Sequence, residues 1–138
     1  GSVLQAKGAT IDVAVADDDN SIYRFVRIPS NAVIHHIWLT NDAITGGTAF
    51  HCGIHDIAKN GGAVVDADVF ATSVDCSSAR VDALDLRFEV LNITGIGQPL
   101  WQILGNAADT NKVYDITMQG ATVGSAAGDL AILVEFSN

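Results

Sequence analysis

Two glycine pairs, Gly46-Gly47 and Gly61-Gly62, bracket the segment that most constrains how this chain can fold. Glycine adopts positive φ without steric cost, so each pair marks a place where the backbone can reverse tightly. Between the pairs, apolar side chains alternate with polar or small ones, in the order Phe50, His51, Cys52, Gly53, Ile54, His55. A period of two is typical of a β-strand with one buried face. The pattern therefore predicts a strand over residues 48–56.

The same strand-like pattern recurs along much of the chain. Alternating or mostly apolar segments cover residues 10–16, 22–28, 32–40, 48–56, 113–119 and 128–136. In segment 32–40, strict alternation places Ile37 on one face, and Ile34 with Trp38 on the other. Because both faces carry bulk, this segment is predicted to be a central strand covered on both sides, by a second sheet or by a neighbouring subunit. It is also predicted to pair with segment 48–56 across Gly46-Gly47.

Other stretches have less regular patterns. After Gly61-Gly62 the chain is predicted to enter a half-helical segment, and residues 66–80 fit neither period clearly. Residues 81–92 mix both periods, and their second half is assigned to a strand. Over residues 98–105, Pro99 stands at the start and Gly105 just past the end, which predicts a helix of about two turns.

Seven or eight short strands separated by glycine-rich turns indicate an all-β protein. The predicted fold is an antiparallel β-sandwich, jelly-roll-like or Greek key, with one or two short helical turns. Residues 1–138 are predicted to form a single domain, in which residues 1–9 are an extended N-terminal arm.

Composition narrows the classes of partner. Hydrophobic residues make up 49 % of the chain, which argues against disorder. The formal charge is −9, and the seven cations are scattered, so neither nucleic acid nor an anionic membrane is an expected partner. No run approaches the roughly 18 apolar residues of a membrane span, and no secretory signal is evident. Cys52 and Cys76 are expected to be free, buried thiols, in keeping with assembly in a reducing cytoplasm.

The sequence gives only weak evidence for a catalytic or metal-binding site. His51 and His55 share one strand face but lie about 13 Å apart at about 3.3 Å per residue, too far to share a metal ion directly. Asp17-Asp18-Asp19 begins like a calcium loop but lacks the glycine and glutamate that such a loop needs. Carboxylates that could be paired for hydrolysis are Asp66, Asp68, Asp82 and Asp85. The sequence predicts no enzyme, no metal and no cofactor.

Several turn and strand phrases occur together along residues 10–136. They are 21–25 (SIYRF), 28–32 (IPSNA), 41–48 (NDAITGGT), 61–70 (GGAVVDADVF), 99–105 (PLWQILG), 113–117 (VYDIT) and 122–128 (TVGSAAG). In these phrases the chain resembles the small structural proteins that coat the capsid shell of tailed bacteriophages as cement or decoration proteins.

This resemblance implies a jelly-roll-like, non-enzymatic virion protein on the capsid exterior, made in the host cytoplasm. Its implied partners are the major capsid protein and itself, as a homodimer or homotrimer. Aromatic residues and arginine dominate interface hot spots, so the candidate contact residues are Tyr23, Arg24, Phe25, Arg27, Trp38 and Trp101.

Two other functions remain open at this point. A phage tail-fibre or carbohydrate-binding module would present clustered exposed aromatic side chains as a flat platform. A small metal enzyme of cupin-like form would gather two or three histidines and a glutamate, and the histidine spacing here does not fit that arrangement.

Overall fold

A computed structural model describes residues 3–90 and 92–138 and consists of two packed four-stranded sheets. The strands are β1 Gln5–Val13, β2 Ser21–Pro29, β3 Val33–Asn41, β4 Ala49–Asp56, β5 Val64–Val74, β6 Arg80–Asp85, β7 Val113–Thr122 and β8 Gly128–Ser137. The first sheet has the order β1-β8-β3-β6 and the second the order β2-β7-β4-β5. All pairings are antiparallel. The predicted antiparallel sandwich is confirmed, and this strand order is that of a jelly roll.

The alternation in the last two strands directs their apolar residues into one core between the sheets. The inward side chains of β8 are Leu130, Ile132, Val134 and Phe136, all buried. Those of β7 are Tyr114, Ile116 and Met118, also buried. At roughly 25 cal/mol per Å² of apolar surface, such side chains supply most of the driving force for joining the two sheets.

A bulge changes the face assignments in β3. The register of β3 against β8 shifts between Ile34 and His36, and an extra residue at this point inverts the alternation. Ile34 therefore lies in the core with Ile37, while Trp38 points away from it. The prediction that Ile34 and Trp38 share a face is wrong for this reason. The prediction that β3 is a central strand is confirmed: its inner face is covered by the second sheet, while its outer face, with Trp38 and His36, is only partly buried within this chain, so cover by a neighbouring subunit stays a prediction.

The connection between β3 and β4 crosses from one sheet to the other. Ile44 within it is fully buried, and its N–H donates to the Cys76 carbonyl at 2.9 Å. Consequently β4 pairs with β5 and β7, whereas β3 pairs with β6 and β8. The predicted hairpin between the third and fourth strands is wrong, because burial of Ile44 between the sheets draws this turn across the core.

Residues 64–74 form the strand β5, not the half-helical segment that was predicted. The period-two signal in β5 is hidden because its pairing with β4 is irregular. Cys52 pairs with Ala71, whereas Ile54, two residues on, pairs with Asp66. Gly53 permits this approach, since a Cβ at that position would collide with the backbone of Asp66 and Ala67.

The remaining differences concern the ends of strands. In region 81–92 the strand β6 occupies the first half, not the predicted second half. Residues 86–90 form turns. Residues 5–9, predicted as an arm, pair with β8 as part of β1. The short helix is present as α1, Leu100–Ile103, with Pro99 at its N-cap and Gly105 at φ +80°, but its four residues make about one turn and not the two that were predicted. Within the described ranges, no helix is long and apolar enough to cross a membrane.

Both cysteines are free and buried, as predicted. Burial raises the pKa of the Cys76 thiol to about 12 and that of Cys52 further, so both remain protonated near neutral pH.

Candidate interaction surface

The outer face of the first sheet carries a shallow groove of about 730 Å³. Its lining includes residues from all four strands, namely Gly8, Ala9, Thr10, Trp38, Thr40, Ala83, Ala131, Ile132, Leu133 and Glu135. Cross-strand register explains this floor: Leu133 of β8 lies between Gly8 of β1 and Trp38 of β3. Leu133 is 42 % exposed, although it belongs to a central strand of the sheet. The centre of this face is therefore apolar and accessible.

Trp38 is held in one orientation beside Leu133 in the groove. Its indole Nε1 donates to Glu135 Oε1 at 2.8 Å, and its ring stacks on His36 with 4.7 Å between centroids. The His36 ring is fixed in turn by Asp85, with 2.8 Å between Nδ1 and Oδ2. A side chain held by two contacts loses little rotamer entropy when a partner binds, which favours it as a contact residue.

Three carboxylates lie just beyond the groove, past Thr10, Thr40 and Ala131, where Asp42 and Asp129 line an adjoining depression together with Arg80. Asp12 and Asp129 are paired positions of β1 and β8, and the Asp129 N–H donates to Asp42 Oδ2 at 3.0 Å. The hydrogen bond with Asp12, loss of solvation and the negative charges of Asp12 and Asp42 raise the pKa of Asp129. No salt bridge among the described residues reaches these three groups. Three carboxylates thus outnumber the one cation that lines the same depression, Arg80, and the site is negative overall.

The outer face of the second sheet is organised differently, around Arg24. Its Nη1 lies 2.8 Å from Asp115 Oδ2 and also donates to the Asp56 carbonyl, while Nη2 donates to the Gly62 carbonyl. The guanidinium thus links the turn after β4 to the sheet by hydrogen bonds. Arg27 lies beside it, 3.8 Å from Asp115, with a side chain that is 63 % exposed.

His55 is buried beneath the same turn. Its Nδ1 lies 2.7 Å from Thr117 Oγ1, and its Nε2 is buried without a protein partner among the described residues. Burial, followed by the positive charge of Arg24, lowers the pKa of His55, and the opposing effect of Asp115 is smaller. The neutral imidazole is the form that this site accommodates.

The six predicted contact residues do not form a single patch. Trp38 lies on the first sheet, whereas Arg24 and Arg27 belong to the second. Tyr23 is a core residue, 6 % exposed, with its hydroxyl donating to Asp17 at 2.9 Å. Phe25 is the extra residue of the β2 bulge and packs partly against the core. Trp101 is a partly exposed residue of α1.

The weaker chemical candidates have structural partners. His35 Nε2 lies 2.8 Å from Ser137 Oγ, and His51 Nδ1 accepts from the Ser73 N–H. In the Asp17-Asp18-Asp19 turn, the Asp17 carboxylate accepts from the Ala14 N–H, and the Asp19 carboxylate accepts from the Val123 N–H. Over residues 3–90 and 92–138, no three metal-ligating side chains come together.

Sequence reasoning missed the groove. Its signal was present in β8, where the outward positions read Asp129, Ala131, Leu133, Glu135. An outward leucine between two acidic residues indicates an apolar centre with charged ends. The small residues opposite it, Gly8 and Ala83, come from strands whose pairing the pattern could not predict.

Comparison with known proteins concerns the fold. No protein-family profile and no curated protein sequence matches this chain. A chain in the structure titled "Cyanophage Pam1 capsid asymmetric unit" is similar over 99 % of this chain and 86 % of its own length, with 11 % identity and a TM-score of 0.57. A chain of the acidic stable capsid of Helicobacter pylori bacteriophage KHP30 covers 98 % and 91 %, with 14 % identity and a TM-score of 0.44. This protein therefore shares its fold with a chain of a phage capsid.

Proposed function

We propose that this chain is a non-enzymatic structural component of a phage virion that binds the outer surface of the major capsid protein shell and stabilises it. The observation that carries the proposal is the fold shared over 99 % of the chain with a chain of the Pam1 capsid. The resemblance in the turn and strand phrases narrows this virion role to a cement or decoration protein. The protein is then made in the host cytoplasm and ends on the capsid exterior.

The two outer sheet faces suit such a role in different ways. The first presents an apolar groove with the fixed indole of Trp38, and aromatic anchors of this kind dominate protein interfaces. Arg27, Phe25 and Trp101 are further proposed contacts, since each retains exposed surface. Tyr23 and Arg24 contribute by holding the scaffold rigid. The charge of −9 favours a neutral or basic protein surface as the partner.

The proposed stabilisation has a direct test. Expanded shells that lack this protein are mixed with the purified full chain, sedimented, and heated while shell integrity is followed by light scattering. We expect saturable co-sedimentation and a higher disruption temperature, because a ligand that binds only the intact shell stabilises it by mass action. Absence of both effects contradicts the proposal.

The oligomeric state is part of the same proposal. A homodimer or homotrimer would use a surface other than the groove, since the acidic ends of two grooves repel each other. Analytical ultracentrifugation of the free protein tests this, and a monomer at all concentrations contradicts self-association.

A further inference from the structure

The groove on the first sheet differs from an ordinary solvated sheet face in the way its polar and apolar side chains are arranged. Along β8 the outward side chains run from Glu135 through Leu133 and Ala131 to Asp129. Asp85 is a second carboxylate near Glu135 at one end of the face. Asp12 and Asp42 lie beside Asp129 at the other end. The face is therefore apolar in the middle and negative at both ends.

We propose that this groove binds an extended basic segment of another protein, with one large apolar side chain seated between Trp38 and Leu133 and a lysine or arginine at each end. This inference goes beyond the virion role, because it rests on the groove and its charges and does not depend on which protein supplies the segment.

The dimensions of the groove set the spacing of the partner's residues. Glu135 and Asp129 are six positions apart on one strand, which corresponds to about 20 Å at about 3.3 Å per residue. An extended segment covers that length with the same number of residues. Its two cations therefore stand about six residues apart, with the apolar side chain near the midpoint.

The floor of the groove leaves enough space for such a segment. Gly8, Ala83 and Ala131 leave the sheet surface low, while Trp38 and Leu133 rise beside them. A backbone can approach closely where side chains are this small. The Trp38 ring is already fixed by Glu135 and His36, so the apolar seat exists before binding.

Charge selects a basic protein segment among the possible occupants. A second copy placed face to face brings the acidic ends of the two grooves together, and like charges in contact are unfavourable. A phosphate backbone is repelled for the same reason. Asp12, Asp42 and Asp129 make no salt bridge among the described residues and outnumber the neighbouring Arg80, and the charges of Asp12 and Asp42 contribute to the raised pKa of Asp129; a lysine or arginine would relieve this repulsion.

The test uses the full chain, labelled with ¹⁵N, and three capped seven-residue peptides as probes. The first, KTVLVTK, has the proposed pattern; ETVLVTE reverses the end charges, and KTSGSTK removes the apolar centre. We expect the first peptide to shift the Trp38 indole signal and the β8 amides. Both control peptides should bind at least tenfold more weakly, and 0.5 M NaCl should weaken binding of the first because exposed ion pairs are screened.

Variants locate the binding surface. Asp12→Asn with Asp129→Asn should weaken KTVLVTK binding about fivefold, in line with loss of the exposed ion pair at that end. Leu133→Ser should weaken it by a similar factor through loss of the apolar wall. Asp18→Asn removes a charge from an exposed turn outside the groove and should leave the affinity unchanged.

Four outcomes overturn the inference. They are equal binding of ETVLVTE, shifts confined to the second sheet, no shifts at millimolar peptide, and concentration-dependent broadening of the groove signals without peptide, which would identify a second copy as the occupant. None of these outcomes depends on capsid shells, so failure here is distinguishable from failure of the proposed virion role.

Discussion

Arg24 of β2 and Asp115 of β7 are joined by an ion pair of 2.8 Å on the outer face of the second sheet. Asp115 is 7 % exposed, so its carboxylate depends on this partner for much of its solvation. The same guanidinium donates to the Gly62 carbonyl, which links the pair to the turn after β4. One side chain thus stabilises both strand pairing and a long-range turn contact.

Replacing Arg24 with alanine should therefore destabilise the fold. We expect a loss of about 2 kcal/mol in the free energy of unfolding, a value reduced from that of a fully buried pair because the Arg24 side chain is 35 % exposed. Urea denaturation measures it. Arg27→Ala is the matched control, because that side chain is largely exposed, and its effect should stay within about 0.5 kcal/mol. Equal losses in both variants would contradict the assigned role of Arg24.

Stability should decrease as the pH falls through the ordinary pKa of histidine, because of His55. Its pKa is lowered in the folded protein, so below pH 6.5 the unfolded chain binds a proton that the folded chain rejects. More protons on the unfolded state mean lower stability as pH falls. The slope for one group approaches at most about 1.4 kcal/mol per pH unit.

Thermal unfolding between pH 7.5 and pH 5 measures this dependence. His55→Gln should flatten it, whereas His51→Gln, at an only partly buried position of the same strand, should retain it. An unchanged slope in His55→Gln would show that another group is responsible.

Removing one of the crowded carboxylates beside the groove should raise stability. Asp12→Asn relieves repulsion of Asp129, whose pKa is raised by this neighbour. We expect a higher midpoint of thermal unfolding at pH 7, with a larger gain in low salt. The gain should shrink at acid pH, where Asp129 takes up its proton in the unsubstituted chain. A lower midpoint at pH 7 would indicate that Asp12 makes a favourable contact instead.

Gly53→Ala should be among the most destabilising single substitutions. The added methyl group would meet the Asp66 carbonyl and the Ala67 backbone, so β5 must move away from β4. We expect a loss of about 3 kcal/mol, measured by urea denaturation. Gly61→Ala is the comparison: its methyl group meets nothing, but φ of +100° is strained for alanine, so the loss should be about 1 kcal/mol. A smaller loss at Gly53 than at Gly61 would contradict the close approach.

Much of the fold was predictable where one local rule acted alone. The inward faces of β7 and β8 followed from strict alternation, and the helix α1 followed from Pro99 and Gly105. The candidate site was less predictable. Trp38 was identified, but Tyr23 proved to be core, and Leu133 was overlooked as an outward residue of an otherwise ordinary strand.

The sequence by itself determined that this protein is an antiparallel β-sandwich with buried thiols and an excess of acidic residues, because alternation, turn glycines and charge are local properties. Only the tertiary structure decided which strands pair and where Ile34 and Trp38 point. Strands of similar pattern compete equally for neighbours, and a bulge arises from register with a partner that is distant in the chain. The groove beside Leu133 belongs to this second class, since four strands from different parts of the chain must meet to form it.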